Sequence, residues 1–154
     1  MAENAEARLT ALGVVLPVPP APAASYIPSV ATGKLVFVSG QVSMLPNGDK
    51  YVGKVGRELN VEDGQKAARI CAINVLANLK AALGDLEKVK RIVKLTGFVN
   101  CTADFTEPHR VVNGCSDFLI EVLGERGKHS RSAIGVATLP LGAAVEIEAI
   151  VEVS

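Results

Sequence analysis

The chain has 154 residues, 49% hydrophobic and 21% charged, enough for one domain with a packed core and too few for two of ordinary size. Sixteen basic residues balance sixteen acidic ones, a net charge of +0 that argues against a binder neutralising nucleic-acid phosphates with a basic stripe. Aromatic residues make up only 4% and Trp is missing, so the core must come mainly from Val, Ile, Leu and Ala.

Met1 to Thr10 is acidic and lacks a hydrophobic run, so no signal peptide is expected. Ala5, Leu9 and Leu12 recur at helical spacing before Gly13, which predicts a short amphipathic helix. Val14 to Pro28 holds Pro17, Pro19, Pro20, Pro22 and Pro28. That density forbids helix and predicts an extended segment laid along the body; a flexible linker is the alternative, though Leu16 and Tyr26 give the segment something to pack with.

Lys34–Ser39, bounded by Gly33 and Gly40, reads as a buried strand, followed by a turn at Pro46–Gly48 and a further short strand at Tyr51–Val55. A long helix starts after the N-cap Asn60 and stops at Gly84, with Val61, Ala68, Cys71, Ala72, Val75, Leu79 and Leu83 on one face. In Val89–Val99, Val89, Val93, Leu95 and Val99 share one face and Lys88, Lys90, Lys94 and Thr96 the other, a strand half covered by helix. The basic run Lys88, Lys90, Arg91 and Lys94 reads as a solvated strand edge.

Pro108 opens a second helix with Val111, Cys115, Phe118, Leu119 and Val122 inward and Gly124 as its stop. Ser132–Ala137 is a candidate strand, turned by Pro140 and Gly142. The last strand sets Val145, Ile147, Ala149, Val151 and Val153 against Glu146, Glu148, Ile150 and Glu152. The succession predicts an α+β domain, a mixed sheet of about six strands with two helices on one face.

Cys71, Cys101 and Cys115 are scattered and form no CxxC, so neither a metal site nor a redox pair is expected, and a reducing, cytoplasmic setting fits best. No apolar run is long enough to span a bilayer, so no membrane partner is expected. No P-loop, GxGxxG, GxSxG or HExxH occurs. His109 and His129 fall in different predicted loops and read as solvated residues. The glutamates of the last strand read, on residues alone, as the solvent side of a sheet.

A resemblance sharpens this. Arg131-Ser132, Leu139-Pro140 and Val145-Glu-Ile-Glu-Ala149 look like the C-terminal signature of the RidA (YjgF) family. Leu35-Val-Phe-Val-Ser-Gly-Gln41 resembles its second strand, Gly64-Gln65 through Lys80 its first helix, Val99 through Asn113 the approach to its second, and Ser25-Tyr26 its early tyrosine position. The match covers roughly residues 22 to 153 of a single domain spanning 1–154, leaving an N-terminal extension at about 1–21.

The resemblance implies a chorismate-mutase-like fold, a homotrimer with sites between subunits, and hydrolytic deamination of small 2-imino or 2-enamino acids to 2-keto acids and ammonium, with no metal or organic cofactor. Position by position, Arg131 becomes the carboxylate clamp and Glu146 the water-positioning carboxylate. Gly40 contributes backbone, Tyr26 and Asn113 line the cleft, and Ala133 stands where many relatives have Cys and use mainly the backbone. The chain thus resembles a divergent branch. A non-catalytic trimer that binds small carboxylates is the alternative, and an endoribonuclease or translation inhibitor is disfavoured by the balanced charge and few aromatics.

Overall fold

The computed structural model describes residues 3–22, 24–46 and 48–154. Helix α1 (Ala5–Ala11) is capped by Asn4, whose side chain accepts from the Ala7 amide, and buries Ala5 and Leu9. The chain then runs without helix or strand through the proline-rich stretch, with Val14 and Leu16 packed against the core. The expected turn at Pro46–Gly48 includes Asn47, which lies outside the described residues.

Strands β1 (Ser29–Thr32) and β2 (Leu35–Val42) form a hairpin through Gly33-Lys34, with Gly33 at φ +57°. That positive φ suits a two-residue turn. Helix α2 (Val61–Leu83) starts in a reciprocal Asn60/Asp63 capping box, a device contributing about 1 kcal/mol. It ends where Gly84 turns left-handed at φ +81°. Strand β3 (Val89–Asn100), helix α3 (Pro108–Leu123), strand β4 (Ser130–Val136) and strand β5 (Val145–Val153) complete the chain.

The sheet order is β1-β2-β5-β3-β4; β3 and β4 are parallel, joined by α3, and the other pairs are antiparallel. Helices α2 and α3 pack on each other and on one face of this sheet, closing a core that includes Leu76, Leu79, Leu95, Phe118, Leu119 and Ile147. The α+β mixed sheet is as expected, but it has five strands rather than about six.

Tyr51–Val55 makes only isolated bridges, because Gly53 at φ +121° breaks the extended run and donates its amide to the Gly142 carbonyl. Conversely, β1 forms just beyond the proline-rich stretch, between Pro28 and Gly33, where no strand was expected. In β3, register shifts between Val89 and Arg91 and between Ile92 and Lys94 move Ile92, not Val93, into the core. Each inserted residue flips the alternation. The bases Lys88, Lys90, Arg91 and Lys94 are exposed as expected, and Lys90 and Arg91 stand where β3 pairs with β5 alone, since β4 joins it only from Lys94.

The other sheet face is left open. Val30, Phe37 and Ile150 lie in one cross-strand row and Glu146, Phe98 and Ile134 in another. Val30, Phe37 and Ile134 are 51%, 42% and 43% exposed, apolar surface that the single chain does not cover.

Candidate functional site

Glu146 is the second residue of β5, and the start of that strand is fixed by a buried hydroxyl. Ser43 Oγ donates to the Tyr51 carbonyl and accepts from the amides of Ala144 and Val145. With Val145 buried in the core, strand alternation turns Glu146 to the open face, beside Val42 on β2 and Phe98 on β3. Gly40 sits in the irregularity of β2 between Val38 and Gln41. A Cβ there would fall 2.2 Å from Glu146 Oε2, so the bare glycine is what lets the carboxylate lie against the strand. Burial, then the charge of Glu148 on the same face, raises the Glu146 pKa from its ordinary value.

Tyr26 joins them through the backbone. Ser39 Oγ donates to the Ile27 carbonyl at 2.7 Å and the Ser39 amide to the Pro28 carbonyl at 2.9 Å, tying the Tyr26 segment to β2 next to Gly40. Tyr26, Gly40 and Glu146 all line one cavity of about 760 Å³. Its far walls are mostly apolar: Pro19, Pro20 and Pro22, Leu45 and Pro46, and Leu141. Leu141 holds a left-handed backbone at φ +60°, which a branched residue adopts only at a cost.

Two residues of the cavity escaped the sequence reading. Asn74 and Asn78 are buried on α2; Asn74 Nδ2 donates to the carbonyls of Val42 and Met44, and Asn78 Nδ2 to that of Asn74. Their only sequence signal is two amides at helical i,i+4 spacing among apolar neighbours.

Arg131 lies elsewhere. It pairs with Leu95, fully buried under the helices, and so belongs to the helix-covered face at the β4 edge, opposite the face that carries Glu146. Its Nη1 donates to Ser116 Oγ and its Nη2 to the His109 carbonyl, each at 2.9 Å. His109, Asn113 and Ser116 follow helical spacing on α3, which puts Asn113 on the α3 face that meets Arg131. Ala133, two residues along β4, packs against the core, leaving its backbone as the part available at the edge.

The six expected residues therefore form two groups. Tyr26, Gly40 and Glu146 share the cavity; Asn113, Arg131 and Ala133 share the α3–β4 edge. His129 is not the solvated loop residue expected: it is half-buried, with Nε2 2.8 Å from Ser116 Oγ and Nδ1 2.6 Å from the Gly127 carbonyl. Nothing in the sequence links Ser116 to His129; the turn after α3 brings them together. Cys71, Cys101 and Cys115 are all buried, and burial raises the thiol pKa of Cys71 and Cys115. No helix among the described residues is long and apolar enough to cross a membrane.

A family model described as "YjgF/chorismate mutase-like, putative endoribonuclease" matches residues 6–153. The chain is 48% identical over 149 residues to Protein TCP17 of Trypanosoma cruzi, covering 96% of this chain and 93% of that one. Among solved structures, the protein Atu1372 of Agrobacterium tumefaciens superposes with a TM-score of 0.91 at 48% identity, over 97% of this chain and 92% of the other. E. coli TdcF with bound serine superposes at 0.64 and 29% identity, over 89% and 94%. Sequence, architecture and relatives agree: the chain belongs to the YjgF/RidA family.

Proposed function

We propose that the protein hydrolyses small reactive 2-imino and 2-enamino acids to 2-keto acids and ammonium, in clefts shared by neighbouring subunits of a homotrimer. The observation that carries this reading is the state of Glu146: a carboxylate whose pKa is raised by burial, lying in a cavity beside Gly40 and Tyr26. Such a group is a better base than an ordinary carboxylate and can take a proton from an attacking water and return it to the departing nitrogen. An imine carbon is already electrophilic, so the hydroxyl of water bonds to it while the proton Glu146 takes passes to the nitrogen. The carbinolamine's hydroxyl proton then moves through Glu146 to that nitrogen, C=O forms as the C–N bond breaks, and ammonia leaves to be protonated by solvent.

Arg131 supplies the other requirement, a planar pair of donors matched to the substrate carboxylate and a charge that cannot be lost. Its position on the opposite sheet face supports a site completed by a second subunit, as do the open apolar rows around Phe37 and Ile134. The apolar far walls of the cavity favour substrates with an aliphatic side chain larger than methyl.

That TdcF holds serine favours one alternative, a trimer that binds small amino or keto acids without turning them over. The deciding assay generates 2-imino acids of increasing side-chain size in situ and follows ammonium and 2-keto acid release. Faster release than in the enzyme-free control, rising from methyl to longer aliphatic side chains, supports the hydrolase. Binding of 2-keto acids with no acceleration supports the alternative.

A further inference from the structure

Among the described residues, Arg131 is held by neutral groups: a hydroxyl oxygen of Ser116 and a backbone carbonyl of His109. Neutral acceptors fix the guanidinium without cancelling its charge, which a carboxylate from the same chain would do. Behind them stands His129. A carbonyl can only accept, so His129 Nδ1, 2.6 Å from the Gly127 carbonyl, carries the hydrogen, and the neutral ring offers Nε2 as an acceptor. The Ser116 hydroxyl, 2.8 Å from Nε2, then donates to the ring and keeps a lone pair for Arg131 Nη1.

The hydrogen bonds all run one way, from Arg131 to Ser116, from Ser116 to His129 and from His129 to Gly127, and no donor in the chain competes with another. Burial, chiefly, with the neighbouring Arg131 charge lowers the His129 pKa against the opposite effect of its bond to the Gly127 carbonyl, in keeping with a neutral ring. Ser116 is 8% exposed, so its hydroxyl has little access to water as a substitute partner.

We propose that Ser116 and His129 are positioning residues for the reaction: a relay that fixes Arg131 with its remaining N–H groups free for a substrate carboxylate. The inference rests on the reading of Arg131 as the carboxylate-binding group. Ser116 is the contact and His129 acts through it, fixing which way the hydroxyl points.

The test uses 2-oxobutanoate, a stable 2-keto acid, as the binding probe, with KM and kcat measured on 2-imino acids and the melting temperature of each variant recorded. Ser116→Ala should weaken probe binding and raise KM by roughly tenfold or more, the scale of a lost hydrogen bond to a charged group, with kcat much less affected. Ser116→Thr, which keeps the hydroxyl, should recover most of the loss. His129→Phe should show a smaller rise, and the double variant Ser116→Ala/His129→Phe should be no worse than Ser116→Ala alone. Unchanged binding in Ser116→Ala, or additive losses in the double variant, overturns the relay.

A second readout needs no ligand. NMR should show slow rotation of the Arg131 guanidinium in the parent protein and fast rotation in Ser116→Ala. Free rotation in the parent overturns the relay. Slow rotation combined with no effect of Arg131→Ala on probe binding overturns the carboxylate-clamp reading instead.

Discussion

Gly40 and Glu146 share one small volume: the point where a Cβ on Gly40 would sit is 2.2 Å from Oε2 of the carboxylate and 2.9 Å from its carbon. The glycine is not held by a positive φ, since Gly40 is absent from the residues with left-handed backbone. The missing side chain matters for the space it leaves.

Gly40→Ala should therefore fold normally and move Glu146. The carboxylate is the far end of a flexible side chain, so it can swing aside at small cost in stability. Turnover of 2-imino acids should fall roughly tenfold to a hundredfold, the scale of an ångström-sized misplacement of a reacting group. A melting temperature near that of the parent, together with the activity loss, is the expected pair of results.

Stability should respond to pH in opposite directions at two groups. Glu146 has a raised pKa, so between the ordinary carboxylate range and that raised value the folded chain holds a proton that the unfolded chain has released. Its contribution therefore falls as pH rises through that window. Glu146→Gln cannot ionise; it should abolish this slope and be at least as stable as the parent at pH 7 while losing turnover. His129 has a lowered pKa, so its contribution is complete above about pH 6.5 and declines as pH falls toward its folded value. Chemical denaturation of parent, Glu146→Gln and His129→Phe from about pH 4 to about pH 8, the ordinary titration range of carboxylates and imidazoles, separates the two slopes.

Much of this architecture was legible because strong local signals agree with the fold. Asn60, Gly84 and Gly124 bound the two long helices, and the alternation from Val145 to Val153 reports one buried face without error. Where sequence reading failed, the cause was non-local. The β3 bulges depend on pairing with β5, and β1 gains its identity only from the hairpin with β2. Gly53 broke a run whose composition alone suggested a strand. For the site, Arg131 and Glu146 were visible through the resemblance, but their separation onto opposite sheet faces is a matter of register. The Ser116–His129 contact, made across a turn, had no sequence signal at all.

Arg131→Ala should lose most hydrolysis of 2-imino acids while keeping its fold. Removing one partner of a desolvated charge pair costs on the order of 2–5 kcal/mol, about thirtyfold or more in kcat/KM. Arg131→Lys should restore little, because one ammonium nitrogen cannot reproduce the planar fork that bonds Ser116 and the His109 carbonyl through two separate nitrogens. Steady-state kinetics on the three proteins checks this, with Glu148→Gln as a control for general loss of charge on the open face.

Assembly should follow from the open apolar rows. Light scattering at micromolar concentration should give about three times the 16.1 kDa chain mass. Ile134→Lys, which places a charge among Phe98 and Glu146 on that face, should shift the population toward monomer. Activity should fall with the loss of assembly even though no site residue has changed.

The claim that each site draws Arg131 from one subunit and Glu146 from another can be measured by complementation. Arg131→Ala and Glu146→Gln, each inactive alone, are co-expressed with different affinity tags and the mixed trimers purified. Every mixed trimer, whichever variant is in excess, keeps both native residues at one interface in three, so hydrolysis should return to about a third of the parent level. Mixed trimers as inactive as either variant alone would contradict a site shared between subunits.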